Sequence, residues 1–193
     1  MASVEQVRVH LGERSYNIFV SPGLLKSLDN PAVDALRHLV ADRAVLVVAD
    51  SNTQSVAGET VVKIVKLLGA ASCAMHVFPA GENSKNLTTI EAICRSAFQA
   101  HLDRRGLILA VGGGVTGDMA GFAASIYMRG IEYAQIPTSL LAMIDSSVGG
   151  KTGADLPDGK NLVGTFHQPR LVFMDVDLLK TLPPEQLRSG FAE

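Results

Sequence analysis

The sequence predicts an α/β fold: a mostly parallel sheet flanked by helices and led by an N-terminal β-hairpin. Three observations predict it. Short apolar runs such as Leu107-Ile108-Leu109-Ala110-Val111 alternate with longer stretches of helical spacing. Strands that are apolar on both faces need covering on both faces, and parallel neighbours need crossovers, which helices supply. The 193 residues are 47% hydrophobic but only 5% aromatic and contain no Trp, so the core must come mainly from Val, Leu, Ile and Ala. That length accommodates one domain, or one domain and part of a second.

Residues 4–11 and 16–20 are β-rich runs around Gly12-Glu13-Arg14, a hairpin pattern that Ser21-Pro22-Gly23 ends. A helix is expected over 24–40, a buried strand over 43–49, a helix over 56–68 and a strand over 71–78. Apolar residues at 87, 90, 93, 94 and 97 mark one face of a helix over 87–100. A strand over 106–111 leads through a glycine loop into a helix over 115–126; strands follow over 131–136 and 171–174. Residues 139–144 have helical character, whereas 145–152 and 159–161 read as polar, glycine-bearing loops. Thr181-Leu182-Pro183-Pro184-Glu185 reads as a helix start, with a capping hydroxyl, prolines in the first turn and an acid near the positive dipole end. That helix reaches Glu193 without a stop signal. The expected organisation is therefore an α/β domain over 1–180 and the opening of a second, helical domain over 181–193, the remainder being cut away.

Seventeen Lys and Arg against 19 Asp and Glu give a net charge of −2 without a basic stripe, which argues against tracking a nucleic-acid backbone. Met1-Ala2-Ser3-Val4-Glu5 lacks the basic start and apolar core of a secretory leader, and no apolar run is long enough for a membrane span. Cys73 and Cys94 stand alone, as reduced, buried thiols of a cytoplasmic protein do. His10, His38, His76, His101 and His167 show no metal-ligand spacing.

The strongest local signal is Val111-Gly112-Gly113-Gly114-Val115-Thr116-Gly117-Asp118, directly after a buried strand and opening a helix. Glycines let backbone N–H groups approach a diphosphate, and the helix N-terminus stabilises its charge. Positions 112, 114 and 117 satisfy GxGxxG, yet the loop follows the third strand of the alternating series, and the next strand does not end in an acid. Asp50 and Asn52, at the tip of an earlier strand, are the candidate ribose partners.

Asp145-Ser146-Ser147-Val148-Gly149-Gly150-Lys151-Thr152 is close to a P-loop, but Asp145 stands where the first glycine belongs and the preceding segment is helical. What remains is a polar loop presenting Lys151, with Lys160 and Asn161 close behind, a pairing that suits phosphate and carboxylate groups. Gly81-Glu82-Asn83-Ser84-Lys85 follows a strand's carboxyl end, where ligands of open α/β sheets bind.

Taken together these segments resemble the 3-dehydroquinate synthase family. The likeness runs through Gly81-Glu82 with Lys85, the 112–118 loop, Tyr127-Met128-Arg129-Gly130, Gln135-Ile136-Pro137-Thr138-Ser139, residues 145–152, Gly159-Lys160-Asn161, Lys180-Thr181-Leu182-Pro183 and Gly190-Phe191-Ala192-Glu193. It implies a Rossmann-like, dehydroquinate synthase-like fold and an NAD- and divalent-metal-dependent (zinc or cobalt) lyase of the shikimate pathway. Such an enzyme converts 3-deoxy-D-arabino-heptulosonate 7-phosphate, a sugar-acid phosphate, into 3-dehydroquinate and phosphate. The resemblance implies an NAD site of Asp50, Asn52, Gly81, Glu82, Lys85, Gly113, Gly114, Val115, Thr116, Gly117, Asp118, Thr138, Ser139 and the turn holding Leu178, Thr181 and Leu182. Lys151 and Lys160 would serve both cofactor and substrate, with Asp145 and Asn161 ordering substrate hydroxyls and Arg129 reaching a phosphate in the neighbouring subunit of a homodimer. Glu193 would be the first of three metal ligands. Ser139 stands where the family usually has a threonine, which keeps the hydroxyl.

Alternative readings are another sugar phosphate cyclase, such as one making an aminocyclitol precursor, a metal-dependent glycerol or alcohol dehydrogenase, and a fragment that binds nucleotide without catalysis.

Overall fold

A computed structural model describes residues 3–192. The elements in chain order begin with β1 (Glu5–Val9), β2 (Tyr16–Ser21), α1 (Pro31–Val40), β3 (Ala44–Asp50), α2 (Glu59–Leu67), β4 (Ser72–Phe78) and α3 (Leu87–Gln99). They continue with β5 (Leu107–Gly112), α4 (Gly114–Ile126), β6 (Glu132–Pro137), β7 (Lys151–Leu156), β8 (Gly159–Phe166), β9 (Leu171–Asp175) and α5 (Pro184–Phe191). Seven strands form one sheet in the order β1-β2-β9-β6-β5-β3-β4, and β7-β8 form a separate antiparallel ribbon. Within the main sheet only β1 and β2 pair antiparallel, which is the expected N-terminal hairpin.

Side-chain alternation divides the core between the two faces of the sheet. Val45, Val47, Leu107, Leu109 and Val111 point to the face covered by α1 and α2, where they meet Leu36, Val40, Val61 and Val65. Leu46, Val48, Ile108 and Ala110 point to the other face and meet Ile90, Ile93, Met119 and Ala123 of α3 and α4. This explains the unbroken apolar run at 107–111, since both faces of β5 are buried. Helix α4 is buried nearly all round because β6 lies on one side and β7 on the other. A Cβ on Gly121 would come within 2.5 Å of Thr152 Cγ2 and 3.0 Å of the Tyr133 ring.

Three expectations need correction. The helix expected over 24–40 begins only at Pro31, because Asn30 caps it by accepting from Val33 N and the proline fits the first turn. Residues 151–152 and 159–161, expected in loops, are strand residues. They belong to the β7-β8 hairpin, closed around Pro157-Asp158 with Leu156 opposite Gly159. Thr181 does not cap the last helix: its hydroxyl donates to Leu178 O within a 3-10 turn, and α5 starts at Pro184 without a side-chain cap.

Candidate functional site

The site follows from strand order. The chain leaves β3 for β4 on one side, then returns to place β5 on the other side of β3, so the carboxyl ends of β3 and β5 flank a switch in winding direction. Crevices at such points are where open α/β sheets bind ligands. Asp50 ends β3 and Gly112 ends β5, which joins two segments that are 62 residues apart along the chain (112 − 50).

The glycine turn is tight. A Cβ on Gly112 would lie 2.4 Å from Thr116 Oγ1, so no side chain fits where the first turn of α4 folds back on the strand. Gly113 is the N-cap and offers no side chain, leaving the first-turn amides without a side-chain acceptor. Thr116 Oγ1 donates to Asp50 Oδ2 at 3.1 Å, and Asp50 Oδ1 accepts from the amides of Asn52 and Thr53. Thr53 Oγ1 donates to Val111 O at 3.0 Å, which fastens the β3 tip to the glycine strand. The sequence reading missed Thr53; the Asp50-x-x-Thr53 spacing of a side-chain-closed turn was the available signal. Thr138 N donates to Gly112 O, and Ser139 Oγ lies 3.5 Å from the position of a Cβ on Gly113. The Val176–Thr181 turn, with Leu178 buried, packs beside residues 54–58 at the same edge, and Leu182 follows it. Val115 and Gly117 complete the first turn of α4, the Gly117 amide already being bonded to Gly113 O.

A second group of residues lies where the hairpin meets α3 and α4. Lys85, only 7% exposed along its side chain, contacts Asp118 Oδ2 and Asn161 Oδ1, each at 2.6 Å. Asn161 N donates to Asp155 Oδ1 at 2.7 Å, and Asp155 N donates to Lys85 O at 2.8 Å. Lys160 reaches Glu82, which follows Gly81, at 3.1 Å in an exposed pair. Burial pushes the Asp118 carboxyl above the usual carboxylate range, and Glu82 and Asp145 add to the shift while Lys85 opposes it.

Beside this group, along the β7-β8 ribbon, opens a cleft of about 500 Å³ whose walls include Asp118, Asp145, Ser146, Lys151, Thr152 and Asn161; Ser146 ties it to the glycine turn, its Oγ lying 2.9 Å from the position of a Cβ on Gly114. Glu82, Lys85, Lys151, Asn161, Asp145 and Asp118 are thereby brought into one neighbourhood. Lys160 is not part of the cleft wall, its amine being directed to Glu82. Arg129 is not in this neighbourhood either: it is exposed just beyond the far end of α4, about 20 Å along the helix from Gly113. Gln135, part of the sequence likeness but given no role by it, is buried beneath the site. It donates to the Tyr133 hydroxyl and Ser147 O, and its Oε1 would lie 2.6 Å from a Cβ on Gly117.

The glycine cradle, the uncapped helix start and the adjoining cleft fit a dinucleotide. A metal is another matter. Among the described residues no three His, Cys, Asp or Glu side chains gather to hold an ion, and Glu193 lies outside them. Cys73 and Cys94 are free and only partly buried. Desolvation pushes the Cys73 thiol up to about 11, so it is not a thiolate near neutral pH.

No helix among the described residues is long and apolar enough to cross a membrane. Residues 75–189 match the family model described as 3-dehydroquinate synthase N-terminal. A 3-dehydroquinate synthase of Pelotomaculum thermopropionicum is 47% identical over 190 residues, covering 98% of this chain and 50% of the relative. The chain thus spans about half the length of the curated relatives it matches. Among solved structures, a 2-deoxy-scyllo-inosose synthase complexed with carbaglucose-6-phosphate, NAD+ and Co2+ superposes with a TM-score of 0.85 at 31% identity, over 97% of this chain and 50% of that one. A 2-epi-5-epi-valiolone synthase from Streptomyces hygroscopicus with NAD+ and Zn2+ bound gives 0.82 at 34% identity, over 95% and 49%. A family model matched from within β4 into α5 and a relative aligned along nearly the whole sequence agree with the glycine turn at the sheet's switch point: the chain belongs to the 3-dehydroquinate synthase family.

Proposed function

We propose that this chain supplies the NAD site and the lysine-bearing side of the substrate pocket of a cytoplasmic 3-dehydroquinate synthase. In that reading a heptulosonate 7-phosphate is converted to 3-dehydroquinate and phosphate by a lyase that needs NAD and a divalent metal, zinc or cobalt. The observation that carries the proposal is the glycine turn opening α4 beside Asp50, with the Lys151 cleft next to it. When bound, NAD supplies a hydride acceptor and donor for a ring alcohol.

The chain's own residues do the positioning. First-turn amides at Gly113, Gly114, Val115 and Thr116 hold the diphosphate, and Asp50 with Asn52 receives a ribose hydroxyl. Thr138, Ser139 and the turn of Leu178, Thr181 and Leu182 border the nucleotide. Lys151 offers a free charge to phosphate or carboxylate from the cleft wall. Lys85 is different: its charge is consumed by Asp118, and its role is to fix Asn161, whose amide with Asp145 orders substrate hydroxyls. Lys160 joins them if its exposed pair with Glu82 yields, at little energetic cost. Arg129, outside the cleft, serves the site of a second copy in a homodimer. The described residues do not fit the metal, and none of these steps runs through it.

The Gly113→Ala variant tests the reading. A methyl there meets only Ser139 Oγ at 3.5 Å, so the fold tolerates it, but it occupies the space ahead of the helix amides. By calorimetry, NAD affinity is expected to fall about tenfold or more, which corresponds to one lost charge-assisted contact. The melting temperature without NAD should be unchanged. No detectable NAD binding by the unmodified chain, or equal affinity in the variant, would overturn the assignment.

A further inference from the structure

We propose that a second cavity, at the opposite end of the sheet, is a binding site for a small oxyanion: a phosphate or carboxylate group on a body with an apolar or planar face. This cavity, about 370 Å³, is lined by Arg14, Arg104, Glu132, Phe166, Gln168 and Arg170 among others. Glu132 is the first residue of β6 and Arg170 immediately precedes β9, so the cavity sits at the amino ends of strands whose carboxyl ends carry the dinucleotide crevice. The six-residue length of β6 separates the cavity from the glycine turn, about 20 Å, while Phe166 borders both this cavity and the Lys151 cleft.

The charge balance is what distinguishes this cavity. Three guanidinium groups line it against one carboxylate, and that carboxylate is already taken. Arg170 contacts Glu132 Oε1 through Nε at 2.7 Å and Nη2 at 2.6 Å, and Arg43 contacts Oε2 from behind. Arg14 and Arg104 make no ion pair and no side-chain hydrogen bond among the described residues. The whole chain is net negative, at −2, so this local excess of positive charge is not a by-product of composition. Guanidinium forks match the paired oxygens of phosphate and carboxylate, and a concave wall strengthens their field. Arg170 is fixed by its two contacts to Glu132, and its Nη1 lies 3.5 Å from Glu13 O, in the turn that carries Arg14. At the rim Phe166 is 78% exposed, a ring beside guanidiniums that gives the ligand's body an apolar surface. The proposal does not depend on NAD binding at the glycine turn.

Amide chemical shifts of the isotopically labelled chain test it, with inorganic phosphate, acetate and benzoate as probes. Saturable shifts are expected at residues 14, 104, 130–132 and 166–170, with benzoate binding more tightly than acetate because of Phe166. In the double variant Arg14→Gln/Arg104→Gln the benzoate affinity at these residues should drop about tenfold or more, while NAD affinity stays unchanged. Both residues are exposed and their side chains bond nothing among the described residues, so the rest of the spectrum should be preserved. Three results would each overturn the site: shifts confined to 113–117 and 145–152, shifts that never saturate and follow ionic strength alone, or a double variant that titrates like the original.

Discussion

Strand β5 and the β7-β8 hairpin carry neighbouring parts of one site but are built on opposite rules. All six residues of β5 are buried, feeding two apolar cores by simple alternation. Strand β8 has no buried residue; β7 buries Thr152, Gly153 and Ala154 against α4, and polar ties from Lys85 to Asn161, from the Asn161 amide to Asp155 and from Thr152 to Thr165 complete the hold on the ribbon. Glycines also let its strands cross at a separation no side chain permits: a Cβ on Gly164 would sit 2.0 Å from Thr152 O. The glycine turn thus rests on the most deeply buried part of the molecule, whereas Lys151 and Asn161 ride on exposed positions of the ribbon, where local opening is expected to cost less.

If that contrast is right, the largest effect comes from Leu109→Ala. Leu109 is fully buried between helices, so the variant should lose about 2–5 kcal/mol of global stability, read as a lower urea midpoint. A loss confined to the hairpin would break the comparison. Next, Gly164→Ala forces a methyl against a carbonyl and should cost the ribbon about 1–3 kcal/mol. Hydrogen exchange should accelerate over 151–166 while the urea midpoint of the sheet holds; equal acceleration in β5 would show that the two regions unfold as one. The smallest effect concerns the joint between them. Glu132 in the sheet grips Arg170, on the link from hairpin to β9. Desolvation works to raise the Glu132 carboxyl, but hydrogen bonds and charge attraction from Arg43 and Arg170 outweigh it and hold it below its ordinary value. A depressed folded-state value means its stabilisation is present above the unfolded carboxylate value and is lost as pH falls through the folded one. Glu132→Gln should therefore destabilise by about 0.5–1.5 kcal/mol at neutral pH, with the gap to the original chain closing in acid. A gap independent of pH would mean that packing, not charge, secures the joint.

How much of this was legible in the sequence divides along the same line. Unbroken apolar runs marked β3 and β5, and the glycine turn stood out because three glycines between a strand and a helix have few other uses. The hairpin did not, since Lys151-Thr152-Gly153-Ala154-Asp155-Leu156 alternates only weakly, at Thr152, Ala154 and Leu156; its clearer folding signal is the turn sequence Leu156-Pro157-Asp158-Gly159. Asn30-Pro31 likewise marked the true start of α1 inside a longer apolar stretch. The adjacency of Asp50 and Thr116 could be suspected only as a pairing of roles, because strand order is set by crossovers and not by local pattern. The role of Gln135 was illegible for the same reason: its partners are Tyr133, Ser147 and Gly117, and only the fold brings the last two to it. The lining of the cleft and the separation of Arg129 from it follow from the hairpin's position over α4.

The crossing at Gly164 has a consequence for what lengths this chain can have. In β7, Lys151 belongs to the cleft wall while the methyl of Thr152 lies against Gly121 of α4. Adding or deleting one residue within either arm, at 153–156 or 159–163, would slip one arm's faces against the other and bring a side chain to the spot where only hydrogen fits. Length variation in this ribbon is therefore confined to the tip at Pro157-Asp158, where extra residues leave the numbering of both arms, and so the reach of the lysine, intact.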